Sequence, residues 1–343
     1  MSEGPEVRRT ADRLAAALLG QTIERVELRR RLPLDPDIQA RLDGAKVRAI
    51  RTYGKHLVIV FSGGVYLHNH MMMWGKWRVY PRKSFDRGAS KPPPRVQWRR
   101  RTDDANNRRV GPTVTDVRDD SRVRLILATK DRVAVEFNGP LLHFGMKDPT
   151  RAHGSLLRIG PDGLAARFGV GEARKRLRER GTKTLADLLL DQSFVAGVGN
   201  KYKAEILFVQ GLYPFQRVRD LTPAIEKKLL AEIPRTLKYG YVHGGRTRPV
   251  AKGEAANRWD LKHWVFRRGG RPCWRCGTRI LTDRKQSARV TFFCPSCQPL
   301  PIAAAVVISK PRVAPRAVTS RRAAPTTSRD RAPKLPARRA LRS

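Results

Sequence analysis

Cys273-Trp-Arg-Cys276, then seventeen residues, then Cys294-Pro-Ser-Cys297: this stretch holds every cysteine of the chain. Two C-x-x-C pairs at this separation can set four thiolates tetrahedrally around one Zn²⁺. The alternatives are a structural knuckle that touches no ligand, or two disulfides. Between the pairs, 279–284 and 290–293 alternate in polarity around a polar turn. They predict a β-hairpin whose ends the metal pins. The hairpin carries Arg279, Arg284, Lys285 and Arg289 against one acid, Asp283. A rigid basic hairpin on a knuckle is suited to phosphate contact. A zinc held by Cys273, Cys276, Cys294 and Cys297 has no open coordination position, so its role would be structural.

Charge points the same way. The chain of 343 residues has 71 Lys and Arg against 30 Asp and Glu, a formal net charge of +41. Such an excess implies an anionic polymer partner, nucleic acid foremost. Hydrophobic residues make up 40%, enough for real cores, and the length suggests two domains with additions. No apolar run of about 18 residues exists, so no membrane span or membrane partner is expected. The first residues lack the pattern of a signal peptide. Clustered cysteines at metal spacing suit a reducing cytosol. The expected location is cytoplasmic and nucleoid-associated, and the expected state a monomer.

Residues 2–20 predict a helix. Pro5 suits its first turn, Val7, Ala11, Leu14 and Leu18 give one buried face, and Gly20 stops it. Glu3 and Glu6 flank the helix start, where acids complement the dipole. From 22 to 138 the pattern is strand-like, with tight turns at Gly63-Gly64 and Lys130-Asp131. The expected strands are 22–28, 46–52, 56–61, 65–70, 77–80, 122–129 and 132–137. Together they predict an antiparallel sandwich. Residues 81–121 break it as a basic, largely irregular insertion. Helices follow: a short charged one near 172–179, then 185–195 capped by Thr184. Next come 201–210 with Asn200 as its cap, and one opened by Thr222-Pro223 that Pro234 should kink. From 299 onward eleven basic residues face one acid in a Pro- and Ala-rich tail, expected to be disordered and to attract phosphate.

Three motifs bring in a known family. Ser2-Glu3-Gly4-Pro5-Glu6-Val7-Arg8-Arg9 resembles the start of the formamidopyrimidine-DNA glycosylase/endonuclease VIII family, closer to its endonuclease VIII branch. Asp191-Gln-Ser-Phe-Val-Ala-Gly-Val-Gly-Asn200 with Ala204-Glu-Ile-Leu207, and the terminal cysteine knuckle, resemble it in the same order. The resemblance implies an α+β multidomain protein. A catalytic β-sandwich domain (1–150, including the insertion at 81–121) would precede a helix–two-turns–helix domain (151–262). A zinc finger (263–298) and the disordered tail (299–343) would follow.

The resemblance also implies roles. The α-amine of the residue after the initiator methionine attacks C1′ of a damaged nucleotide and forms a Schiff base. The family usually has proline there; this chain has Ser2. Serine is small, so methionine removal is expected, and its primary amine can still form an imine. That imine is uncharged until protonated, and proline's ring is absent. Glu3 matches the general acid at the sugar, and Glu6 a supporting acid. Lys55 and Asn200 match groups that bind the phosphate beside the lesion, and Lys55 assists catalysis. Arg289 matches the arginine that clamps the same phosphate from the zinc finger. In His70-Met-Met-Met-Trp-Gly75, Met73 best matches the wedge that fills the gap left by a flipped base. Without the family, Lys55 and Arg289 are ordinary turn charges and Asn200 a helix cap.

The function these residues imply is a bifunctional DNA glycosylase/AP lyase of base-excision repair. It would act on damaged double-stranded DNA, with oxidised pyrimidines favoured and the strand cut by β/δ-elimination. Two rivals remain at the level of sequence. One is a damaged-DNA-binding protein that kept the scaffold and lost chemistry. The other is a non-enzymatic zinc-ribbon protein, in which Glu3, Lys55, Asn200 and Arg289 would be scattered in space.

Overall fold

In the computed structural model, which describes residues 2–29, 34–88, 91–92, 116–250 and 261–301, helix α1 (Gly4–Leu18) forms one wall of the first core. Its apolar face, Val7, Ala11, Leu14 and Leu18, is fully or nearly fully buried. Burying each leucine contributes roughly 1.5–3 kcal/mol. That face packs on the first core, the interior of an antiparallel sandwich. One sheet is β2 (Val47–Tyr53), β3 (His56–Phe61), β4 (Tyr66–His70) and β8 (Leu141–Gly145), paired in that order. The other has the order β1 (Arg25–Leu28), β6 (Val123–Ala128), β7 (Arg132–Phe137) and β5 (Lys76–Pro81).

β6 and β7 are apolar on both faces for a reason the alternation pattern does not reveal. Leu125, Leu127 and Ala134 point into the sandwich. Val123, Ile126, Val133, Val135 and Phe137 point outward, into a second cluster closed by Phe85 and Val117. Phe85 lies on α3 (Arg82–Asp86), and Val117 follows Asp116, whose carboxylate is bound by Arg118. Both ends of the insertion therefore cover the sheet: 82–86 as a helix, which corrects the irregular expectation there, and 116–121 as the expected irregular chain. Its middle, like the tail from 302, lies outside the described residues.

Helices build the rest: α4 (Pro149–Ala152), α5 (Gly154–Leu157), α6 (Val170–Arg178), α7 (Leu185–Leu190), α8 (Asn200–Val209) and α9 (Pro223–Val242). Leu185, Leu188 and Leu189 are buried as the pattern predicts, against Tyr202, Ile206, Leu229 and Ile233. Thr184 and Thr222 cap α7 and α9. α7 closes at Leu190 rather than 195, because the Asp191 carboxylate takes the Ser193 N–H and turns the chain. Pro234 sits inside the continuous helix α9. The strand β8 and the helix α2 (Pro36–Leu42) were not anticipated. β8 is short and Gly-flanked, and only its pairing with β4 defines it.

Glycines let the two parts touch. Gly54, at the β2–β3 turn, has φ +58°, and a Cβ there would sit 2.7 Å from Ala196 Cβ and 2.9 Å from Gly197 N. A Cβ on Gly4 would sit 2.9 Å from Gly197 Cα. Gly20 shares the left-handed backbone, φ +77°, but has open space around it. Gly54→Ala should therefore lose about 2–4 kcal/mol in urea unfolding, and Gly20→Ala about 1 kcal/mol. The difference between them measures the collision across the cleft; equal losses would mean that the approach is loose.

Candidate active site and zinc knuckle

The N-terminal segment enters the cleft between the sandwich and the helices. Gly4 N–H donates to Gly197 O at 2.8 Å. Glu3 is buried, and its carboxylate accepts Lys201 N–H at 2.9 Å and Tyr202 N–H at 3.2 Å. Those amides are free donors at the start of α8, so a negative charge is favoured there. A side chain on Gly199 would overlap the Glu3 carboxylate, which is why glycine stands there. Glu6 lies one turn further along α1. It accepts Lys201 Nζ at 2.5 Å, the Tyr202 hydroxyl at 3.3 Å and Glu3 N–H at 3.3 Å.

The loop that meets Glu3 is held from behind. Gln192 accepts Gly197 N–H at 3.1 Å and donates to Val198 O at 2.8 Å. Asp162 accepts Gly54 N–H at 2.9 Å, which fixes the turn before Lys55. Neither residue stood out in sequence, because each acts through backbone contacts that only the fold creates. Lys55 is half-buried. Burial lowers its pKa, the nearby Glu3 charge raises it, and the Arg289 charge lowers it. The same two residues act electrostatically on Lys203, whose burial brings it down to about 8.

Arg289 reaches this place on the hairpin β9 (Leu281–Asp283) and β10 (Thr291–Phe293). Asp187 accepts Ser287 Oγ–H at 2.8 Å and Ala288 N–H at 3.0 Å. Asn200 Nδ2 donates to Val290 O at 3.0 Å, and Lys203 Nζ to Thr291 Oγ1 at 2.9 Å. Asn200 is the first helical residue, not the cap; Gly199 takes the cap position. Its buried Oδ1 has no hydrogen-bond partner among the described residues.

Behind the hairpin, Glu205 is fully buried and accepts the N–H groups of Trp264, Val265 and Phe266 at 2.8–2.9 Å, with the Thr247 hydroxyl. Burial pushes its carboxyl pKa up, against those bonds. The glutamate of the Ala204–Leu207 motif thus fastens the approach to the knuckle.

At the tip of the β4–β5 connection, Met71 is buried in the sandwich core. It is excluded as a wedge. Met73 is exposed, and so are Met72 and Trp74, which widens the candidate tip from one side chain to three. Ser2 N–H donates to Met72 O at 3.4 Å, so this tip adjoins the N-terminus. Glu3, Lys55, Asn200 and Arg289, from four distant segments, are not scattered.

The four cysteines are free of disulfides, and their sulfurs all lie within 4.8 Å of one another. Separations of 3.4 Å for Cys276–Cys294 and Cys276–Cys297, and 4.0 Å for Cys273–Cys297, bracket the ~3.8 Å edge of a tetrahedral Zn–thiolate site. The donor set fits one structural zinc. Cys273 and Cys294 also pack with Phe208, Val265 and Ile280, tying the knuckle to α8.

A sandwich and a helical part that meet on a buried N-terminal acid, with a four-cysteine hairpin closing the cleft, define the DNA-glycosylase architecture that the motifs suggested. The family model for the formamidopyrimidine-DNA glycosylase N-terminal domain matches residues 1–123, and that for its H2TH domain residues 159–250. The probable endonuclease 8 2 of Streptomyces coelicolor is 32% identical over 87% of this chain and 94% of its own length. Escherichia coli endonuclease 8 is 32% identical over 87% of this chain and all of its own. The Lactococcus lactis Fpg, solved with abasic-site DNA, superimposes with a TM-score of 0.66 at 23% identity, over 87% of this chain and 100% of that one. The chain belongs to the formamidopyrimidine-DNA glycosylase/endonuclease VIII family. Among the described residues no helix is long and apolar enough to cross a membrane.

One zinc per chain is the expected metal content by atomic emission. Cys294→Ser should reduce it and lower the melting temperature, because Cys294 is fully buried. Full zinc content and unchanged melting in that variant would remove the four-cysteine assignment.

Proposed function

We infer that this protein is a bifunctional DNA glycosylase/AP lyase that excises oxidised bases from duplex DNA. The observation that carries the reading is the meeting of the N-terminal segment with Glu3, Lys55 and Arg289 in one cleft, beside an exposed apolar tip. After methionine removal the Ser2 amine is the nucleophile. Its nitrogen bonds to C1′ as the glycosidic bond breaks, and the sugar ring opens to an imine. Near pH 7 a useful fraction of such an amine is neutral, since the reference pKa is about 7.7–8.0.

Glu3, held in place by two N–H donors, passes protons to and from the sugar. Loss of a C2′ proton and then of the 3′ phosphate is the β-elimination; loss of the 5′ phosphate completes the cut. Lys55 and Arg289 bind the phosphate beside the lesion, as does Asn200 at the start of α8. Met73, with Met72 and Trp74, fills the stack where the base leaves. Glu6 is a supporting residue that anchors α1 to α8. Zinc shapes the hairpin and takes no part in the chemistry. Oxidised pyrimidines are the preferred substrates in this reading, which follows from the resemblance of the Glu3-Gly4-Pro5-Glu6 start to the endonuclease VIII branch.

Borohydride trapping on an abasic-site duplex is expected to yield a covalent adduct on Ser2. Glu3→Gln should slow release of thymine glycol by about 10²–10⁴-fold with duplex affinity retained. An adduct elsewhere on the chain, or strand cutting by protein that still carries Met1, would refute the amine mechanism. Tight binding to abasic DNA with no adduct would identify a binding protein on the same scaffold. A faster cut at 8-oxoguanine than at thymine glycol would reverse the substrate preference.

A further inference from the structure

Four of the chain's seven histidines, His56, His68, His70 and His143, lie on the sheet that carries Lys55, His153 packs against His68, and His70 touches the amine's own support. Met72 N–H donates to His70 Nδ1 at 3.1 Å. Met72 O in turn accepts Ser2 N–H. Between those two bonds the Met72 backbone has φ +50°, a left-handed conformation that a side chain disfavours. Gly75 N–H closes the same turn on Met71 O at 2.7 Å, and a Cβ on Gly75 would overlap that carbonyl.

We propose that His70 is a positioning residue for the attacking amine: its Nδ1 holds Met72 in the left-handed turn, and the Met72 carbonyl then holds Ser2. This rests on the reading of Ser2 as nucleophile. The imidazole is itself clamped. His56 meets it edge-on at 4.8 Å between ring centroids, and His56 Nδ1 shares a hydrogen bond with His68 Nε2 at 2.9 Å. The charged and titratable groups that face His70 are Lys55 on the β2–β3 turn, His56 on β3 and His68 on β4. Burial first, then the Lys55 charge, lowers the His70 pKa, so the ring is neutral at pH 7 and Nδ1 can accept. Protonation turns that acceptor into a donor facing an N–H. The Met72 bond is then lost as pH falls through the His70 pKa, below the usual value of about 6.5.

Asparagine and glutamine separate this role from a contact made by the far edge of the ring. An Asn Oδ1 reaches the N–H two residues on, whereas Gln extends past it. Single-turnover trapping on an abasic duplex should slow about 10- to 100-fold in His70→Ala and in His70→Gln. His70→Asn should trap near the wild-type rate, with duplex affinity similar in all four proteins. On the acid side the wild-type rate should fall with two protons, one from the amine and one from His70; His70→Asn should fall with one. Rescue by Gln and not Asn, or a loss confined to affinity, overturns the proposal. So does an unchanged rate in His70→Ala.

The Met72 amide proton provides a readout apart from activity. In the wild type its resonance should titrate with the His70 imidazole, and in His70→Asn it should stay flat. A flat wild-type signal overturns the proposal even if Ser2 traps. A titrating signal in protein that forms no Ser2 adduct keeps the His70–Met72 contact and removes the nucleophile.

Discussion

The hydrogen bonds from the first turn of α8 to the Glu3 carboxylate span nearly 200 residues of chain and join the two halves of the protein at its N-terminal end. A carboxylate at a helix start is held by amides that would otherwise have no partner and by the partial positive charge of the helix. Once Glu3 is fixed, the residues on either side of it have few options. Gly4 is drawn onto Gly197, and Ser2 is left at the Met72 carbonyl. Glu6, one turn along α1, is bound by Lys201 from the same helix start. One helix terminus thus orders the whole N-terminal approach.

The opposite wall of the cleft uses the same helix from its other side. Asn200 and Lys203 hold the hairpin by the residues next to Arg289, and Asp187 holds its turn from α7. Glu205 fastens the turns that lead into the knuckle by three backbone donors. A zinc at the four cysteines would act on a hairpin that α7 and α8 already grip. This division of labour explains why α8 is buried nearly all round while its sequence holds two lysines and a glutamate. Each buried charge has a specific partner, as the cost of burying it requires.

Electrostatics give the cleft its character. Burial first, and then the Arg289 charge, lower the pKa values of both Lys55 and Lys203, against the nearby Glu3 charge. Positive groups held together without enough acids to neutralise them favour an anionic visitor. The net charge of the whole chain adds a long-range attraction that salt would screen.

Much of this was legible in the residues. The cysteine spacing, the helical face of Val7, Ala11, Leu14 and Leu18, the caps Thr184 and Thr222, and the alternating strands depend on neighbours within a few positions, and all appear as expected. Other features depend on contacts between distant segments. Sequence could not tell Met71, which is core, from Met72 and Met73, which are exposed. Nor could it show that the ends of the 81–121 stretch cover a sheet, or that Gly199 rather than Asn200 caps α8. The roles of Asp162, Gln192 and His70 were not legible either: each binds a backbone atom whose position a single side chain's chemistry does not encode. By itself the sequence determined the kinds of groups present and the elements that carry them. The tertiary structure alone decided which of those groups share a cleft, because only close packing of glycine against glycine across it brings them within reach.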